Sequence, residues 1–253
     1  MGNSAVKAKK NSAGKPFAVF DIDGTLIRWQ LFHAIVGELA KQKQLADDAE
    51  FKIREARMTW KRRAHENSFN EYQDIMKDVY FDALKDISFD AHLRAVDKVF
   101  EEYKDQVYTY TRDLVKSLKA EGYFLLAISG SHHDIIAKLA EYYGFDDLLG
   151  AVFLTRDGKF TGEIDTPVTA KHLALENLTA KHGLTYEGSI GVGDSEGDIP
   201  ILKLVETPIA FNPSKALFGE AMKNSWKVVV ERKNMIYELE NQDGKYFLAK
   251  TNA

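Results

Sequence analysis

The chain has 253 residues, 45% hydrophobic and 28% charged, with a formal net charge of −4 and no cysteine. That length suits one large domain or a core with an insert, and the mild acidity gives no reason to expect nucleic acid or an anionic membrane as a partner. The missing cysteines exclude disulfides, thiolate metal sites and a cysteine nucleophile, and they fit a reducing cytoplasm.

Residues 1–15 are small, polar and basic and lack the apolar centre of a signal peptide, so they read as a disordered tail. No apolar run approaches the ~20 residues of a membrane span. The first strong signal is Phe17-Ala18-Val19-Phe20, an apolar run that ends in Asp21-Ile22-Asp23-Gly24-Thr25. Such a run bounded by turn residues reads as a buried strand of a parallel sheet. Ligands of open parallel sheets bind just beyond the carboxyl ends of the strands, which is where Asp21 and Asp23 fall.

After Thr25 the period changes. Leu31, Phe32, Ile35, Val36 and Leu39 recur with helical spacing, and so, less cleanly, do Phe51, Ile53, Ala56 and Trp60. Phe69, Tyr72, Ile75, Met76, Val79, Tyr80 and Leu84 make a long stripe, and Phe89, Leu93, Val96, Phe100 and Tyr103 make another. Ser68 and Ser88 stand as N-caps of the last two helices. A small helical bundle over residues 29–105 is expected, inserted after the first strand.

Strands and helices then alternate. Thr111 to Glu121 reads as a helix, Tyr123 to Ile128 as a strand stopping at Ser129-Gly130-Ser131, and His133 to Tyr143 as a helix. Ala151 to Leu154 and Phe160 to Glu163 flank an Asp157-Gly158 hairpin turn. Thr169 to His182 is a helix, Ser189 to Gly193 a strand, and Asp198 to Val205 a helix with Pro200 in its first turn. Short strands at Pro208 to Phe211 and Trp226 to Val230 precede a terminal hairpin around Asp243-Gly244. The expected fold is α/β: a doubly wound parallel sheet, residues 16–28 and 106–253, carrying the helical insert.

Three strand ends thus bear polar groups: Asp21 and Asp23; Ser129 with the Gly130 amide; and Asp194 to Asp198. Asp21 and Asp194 together would make an oxygen-rich site for Mg²⁺. Lys171 is a point charge suited to a phosphoryl oxygen or to a nucleophilic carboxylate. Thr25 and Ser129 offer hydroxyls, and Gly24 and Gly130 let backbone amides approach an anion. Asp21 could attack phosphorus and form an aspartyl-phosphate. Asp23 could then protonate the leaving oxygen and later take a proton from water.

In its order and spacing of motifs the sequence resembles the haloacid-dehalogenase-like hydrolases. Asp21-Ile22-Asp23-Gly24-Thr25 matches their first motif, Ser129 their second, Lys171 their third and Asp194-Ser195-Glu196-Gly197-Asp198 their fourth. The resemblance implies a Rossmann-like core and a phosphatase with Asp21 as nucleophile and Asp23 as acid/base. It also implies Mg²⁺ held by the Asp21 and Asp194 carboxylates and the Asp23 carbonyl, with Asp198 supporting it through water. The insert is similar to the helical cap of the phosphoserine-phosphatase-like branch. Gln30 stands near the place of that branch's amine-reading glutamate, and Ser131 replaces the second glycine of its second motif. Another small phosphomonoester is therefore expected in preference to phosphoserine. Phosphoserine phosphatase proper, a phosphotransferase and a phospho-accepting signalling domain are the alternatives. Gln30, Arg54, Arg57, Ser131 and His132 are the candidates for substrate contacts.

Overall fold

The computed structural model describes residues 14–165 and 170–252. Residues 1–13, most of the expected tail, lie outside them, and the first strand already begins at Lys15. β1 (Lys15–Phe20) buries Phe17, Ala18, Val19 and Phe20 completely. It runs between β2 (Phe124–His132) and β5 (Leu184–Gly193), parallel to both, with Phe20 opposite Ala127 and Val192. β3 (Asp147–Arg156) lies parallel beyond β2 and pairs antiparallel with β4 (Lys159–Asp165). On the other side β6 (Thr207–Phe211) and β7 (Lys227–Arg232) continue the parallel sheet, and β8 (Met235–Gln242) and β9 (Lys245–Asn252) add the expected hairpin antiparallel to it. The order is β4-β3-β2-β1-β5-β6-β7-β8-β9. The chain builds outward from β1 on one side and then from β5 on the other. The crevice of an open α/β sheet lies at such a switch point.

Alternation along β1 places its side chains on two faces. Phe17 and Val19 pack with Leu175 and Leu178 of α7 (Lys171–His182), Ile201 and Leu202 of α8 (Ile199–Leu202), and Leu217 and Ala221 of α9 (Lys215–Asn224). Ala18 and Phe20 pack with Val115 and Leu118 of α5 (Thr109–Ala120). α6 (His133–Tyr143) ends at Gly144, whose φ of +73° is the left-handed cap that glycine adopts without strain. α9 has no counterpart among the expected elements. Its signal is present all the same: the Ser214 hydroxyl accepts from the Leu217 amide, and Leu217 and Ala221 make a one-sided stripe.

The insert holds α1 (Leu31–Lys41), α2 (Ala49–Lys61), α3 (Ser68–Ala83) and α4 (Phe89–Tyr103). Leu31, Ile35, Val36 and Leu39 of α1, Tyr72, Met76 and Tyr80 of α3, and Ala95, Val96 and Val99 of α4 are buried. They share one apolar cluster with Ile22, Leu26 and Ile27 next to the first motif. α2 is peripheral: Phe51, expected inside, is 59% exposed, while Ile53, Ala56 and Trp60 are half-buried. Ser88 caps α4 as expected, accepting from the Ala91 amide. Ser68 is instead the first residue of α3, and its hydroxyl donates to the His65 carbonyl. No helix among the described residues is long and apolar enough to cross a membrane.

His33 is buried among Phe69, Tyr72 and Phe32 in this bundle, and its Nδ1 has no hydrogen-bond partner among the described residues. Burial, with Lys77 and Arg57 nearby, pushes its imidazole down to about 4. The unfolded chain takes up this proton near its ordinary value while the native state resists, so stability falls as pH drops from about 6.5 to about 4. The full penalty is about 3 kcal/mol. His33→Leu should therefore lose ground to the wild type in urea titrations at pH 7 and gain on it steadily towards pH 4. A stability difference that does not change with pH would show that His33 titrates normally.

Candidate active site

Asp21 follows β1 directly and its amide donates to the Val192 carbonyl of β5 at 3.0 Å, which fixes it at the sheet edge. Its carboxylate is gripped on both oxygens. Lys171 Nζ donates to Oδ1 at 2.8 Å and Thr25 Oγ1 to Oδ2 at 3.0 Å. Lys171 opens α7 and also donates to Asp198 Oδ1 at 2.6 Å. Asp198 Oδ2 accepts from the Asp194 and Ser195 amides at 3.1 and 3.0 Å, and from the Ser195 hydroxyl. Both Asp198 oxygens are thus engaged in holding Lys171 and the Asp194 loop. The spacing Ser195-x-x-Asp198 is that of a capping box, a local signal that singles out Ser195 as a support of the site.

Asp23 faces elsewhere. Its Oδ1 accepts from the Leu31 amide at 2.6 Å and from the Ser131 hydroxyl at 3.0 Å, and its Oδ2 from the Ser129 hydroxyl at 2.5 Å. Ser131 also accepts from the Phe32 amide. Asp23 is therefore tied to the first turn of α1, where the chain enters the insert. Among the described residues no cation pairs with it.

The electrostatics follow from burial. One carboxylate oxygen from each of Asp21, Asp194 and Asp198 lies within 4.8 Å of the other two. Burial, with Asp198 and Asp23 adding to it and Lys171 opposing, pushes Asp21 up to about 7. Burial and the Asp21 and Asp198 carboxylates push Asp194 up to about 9. Burial also raises Asp23, against the hydrogen bonds from Ser129, Leu31 and Ser131. Burial alone would lower Lys171, but Asp21 and Asp198 more than reverse this and hold it above its ordinary range. A single lysine against three clustered carboxylates leaves the pocket short of positive charge. An all-oxygen, anion-rich pocket fits a hard divalent cation such as Mg²⁺.

Several expected contacts take another form. The Gly24 amide donates to the Ile27 carbonyl, so it is not offered to an anion. At φ +85° Gly24 instead admits Asp194: a Cβ there would lie 2.3 Å from Asp194 Oδ2. The buried Thr25 hydroxyl is spent on Asp21, and its carbonyl accepts from Thr111 Oγ1. Ser129 binds Asp23 and accepts from the Ser131 amide, while Gly130 is exposed between them. Ser131 holds Asp23 rather than reaching for a substrate. His132 is only 1% exposed; its ring stacks on Phe153 and packs against Tyr80 and His92, so it neither caps α6 with its side chain nor faces the carboxylates. Arg54 is exposed, beside Phe51 and Glu55 on the outer helix α2. Arg57 is exposed and lies over the Trp29 ring, and Gln30 is the half-buried cap residue of α1. Ser214, whose amide donates to the Asp194 carbonyl, and Thr111 also position the site; neither follows a local pattern that points there.

A family model described as haloacid dehalogenase-like hydrolase matches residues 18–203. A histidinol-phosphatase from Neisseria meningitidis is 29% identical over 230 residues, covering 85% of this chain and 98% of the relative. A phosphoserine phosphatase from Methanocaldococcus jannaschii is 26% identical over 201 residues, covering 78% and 85%. Among solved structures, a phospho-aspartyl intermediate analogue of phosphoserine phosphatase superposes with a TM-score of 0.59 at 22% identity, covering 87% of this chain and 95% of that one. A protein of unknown function from Bordetella pertussis Tohama I reaches 0.68 at 23% identity, covering 85% and 98%. These likenesses place the chain among the phosphoric monoester hydrolases. It belongs to the haloacid dehalogenase-like hydrolase family, in the phosphoserine-phosphatase-like branch.

Proposed function

We propose that the protein is an Mg²⁺-dependent phosphatase of small phosphorylated metabolites that works through an aspartyl-phosphate on Asp21. The observation that carries this reading is the division between two aspartates one residue apart. Asp21 sits in the charged pocket against Lys171, while Asp23 sits among hydroxyls and the Leu31 amide, with no ion pair among the described residues.

Asp21 attacks phosphorus through a carboxylate oxygen, and the bond from phosphorus to the ester oxygen breaks. Asp23, whose burial favours the protonated form, gives its proton to the departing alcohol oxygen. Water then attacks the phosphorus of the acyl phosphate, Asp23 takes the water proton, and inorganic phosphate leaves with Asp21 regenerated. Lys171 keeps Asp21 oriented and offers its charge to the phosphoryl oxygens. The Asp21 and Asp194 carboxylates and the Asp23 carbonyl would hold Mg²⁺, with Asp198 fixing the loop that bears Asp194. When bound, the cation neutralises charge on the transferring group. Residues 29–105 act as a cap on the core of residues 16–28 and 106–253, excluding bulk water. We place the enzyme in the cytoplasm, on its cysteine-free composition.

The named relatives suggest small amino-alcohol phosphates as substrates. Gln30 in place of a carboxylate favours a substrate other than phosphoserine. The test is phosphate release from a panel that includes p-nitrophenyl phosphate, phosphoserine and histidinol phosphate, with Mg²⁺ and with EDTA. Release that requires Mg²⁺ is expected from at least one member. A silent panel with Mg²⁺ present, or turnover that EDTA leaves intact, would sink the reading.

A further inference from the structure

A second polar cluster lies where the helical insert meets the core, one residue beyond Ser131. His132 ends β2, Asp134 sits in the first turn of α6, His92 comes from α4 and Tyr80 from α3. His92 Nε2 lies 3.0 Å from Asp134 Oδ2. The His92 and His132 ring centroids are 4.5 Å apart. One ligand atom from each of His92, His132 and Asp134 lies within 4.8 Å of the other two.

Three buried polar atoms here have no hydrogen-bond partner among the described residues: His92 Nδ1, His132 Nε2 and Tyr80 Oη. Phe153, stacked 3.9 Å from the His132 ring, and Phe160, 5.2 Å from His92, supply apolar walls. An ordinary histidine–carboxylate hydrogen bond accounts for His92 and Asp134. It leaves His132 Nε2 without a partner among the described residues, and leaving a buried polar group unsatisfied is destabilising. Orphaned polar atoms gathered in one place call for a missing ligand. Two imidazoles and a carboxylate are the set that borderline metals such as Zn²⁺ take. Ligand atoms ~2 Å from a common metal sit up to ~4 Å apart, so small side-chain rotations would close the site. Burial holds His132 well below its ordinary value, hence neutral, and the hydrogen bond from His92 holds Asp134 low, hence ionised; these are the forms that ligate.

We propose that His92, His132 and Asp134 form a second metal site, for a transition metal of the zinc type, which pins α4 of the insert to the β2–α6 junction of the core. It differs in donor chemistry from the all-oxygen pocket at Asp21 and does not depend on the phosphatase reading.

The test uses the untagged full chain, stripped with chelator, kept in excess Mg²⁺ and titrated with Co²⁺. One Co²⁺ per chain is expected, with visible ligand-field absorption and paramagnetically shifted ring resonances from two imidazoles. Zn²⁺ should displace it, and either metal should raise the melting temperature. The two-imidazole signature should persist in Asp194→Asn and vanish in His132→Phe and in His92→Gln, with circular dichroism confirming that each variant is folded. Absence of two-imidazole Co²⁺ from the wild-type chain overturns the proposal without recourse to any variant. So does a signature that survives in a folded His132→Phe or His92→Gln, or one that Asp194→Asn abolishes.

Discussion

Asp21→Asn is expected to lower turnover by at least about a thousandfold on any substrate the enzyme accepts, because it removes the group proposed to form the covalent bond. The amide keeps the size of the carboxylate; its oxygen can still accept from Lys171 and its NH2 can donate to the Thr25 hydroxyl, so the fold has no reason to suffer. Without metal the variant should melt no lower than the wild type, since burial makes the Asp21 charge unfavourable there. Loss of activity with retained stability separates a nucleophile from a structural residue. Rapid acid quench should trap phosphate on the wild-type protein and none on this variant. Asp23→Asn should differ in kind. It can still accept from the Leu31 amide but cannot move a proton, so both ester cleavage and hydrolysis of the intermediate slow, by about 10²–10⁴. With a substrate whose leaving group needs no proton, such as p-nitrophenyl phosphate, labelled protein should build up. Free turnover by Asp21→Asn, or rapid breakdown of phosphoenzyme in Asp23→Asn, would exchange or abolish the roles assigned here.

Asp21 and its neighbours are legible in the sequence because each lies at a strand or helix end that periodicity alone can place. The run Phe17 to Phe20 announces a buried strand, so Asp21 and Asp23 must sit at the sheet edge. The same logic places Ser129 and Asp194. The sequence does not carry the partner of each group once the ends converge. Gly24 suggests an amide open to phosphate, yet its amide closes a local turn and its missing side chain makes room for Asp194. Thr25 is spent on Asp21 and Ser131 on Asp23, pairings set by tertiary approach across a hundred residues in the second case. His132 follows Ser131 in sequence but points into an aromatic cluster, because neighbours along an extended strand face opposite sides. Phe51 continues a helical stripe but lies outside, since α2 packs on the bundle along its Ile53, Ala56 and Trp60 side. The case of α9 is different in nature: a serine cap at Ser214 and the Leu217–Ala221 pair are local signals, and no tertiary contact is needed to read them.

Lys171→Met should destabilise the metal-free protein by about 3–5 kcal/mol, the usual consequence of leaving buried charges without their partner. Lys171 is 11% exposed in its side chain and bridges Asp21 at 2.8 Å and Asp198 at 2.6 Å, so few waters can replace it. The pH dependence follows from the sign of each shift. Lys171 is held above its ordinary range, so its stabilising charge is fully present throughout pH 5–9 in the wild type and fades only at higher pH. In the variant, Asp21 loses the one cation that opposed its rise, so its native value climbs further above the unfolded one. A carboxylate raised in this way binds its proton more tightly when folded, and stability then falls as pH increases. The gap between wild type and Lys171→Met should therefore be narrower near pH 5, where Asp21 can be protonated and only Asp198 still lacks its partner, and widest near pH 9. Urea titrations with EDTA at those two values measure it; a gap that stays constant would mean that Lys171 stabilises by packing and not by charge. Adding Mg²⁺ should narrow the gap, because a cation at Asp21 and Asp194 replaces part of the missing charge. It should not restore turnover, since among the described residues no other cation stands where Lys171 meets the Asp21 oxygen. A variant whose stability Mg²⁺ repairs while its activity stays lost would separate the two tasks of this lysine, balancing the carboxylates at rest and meeting the phosphoryl group during reaction.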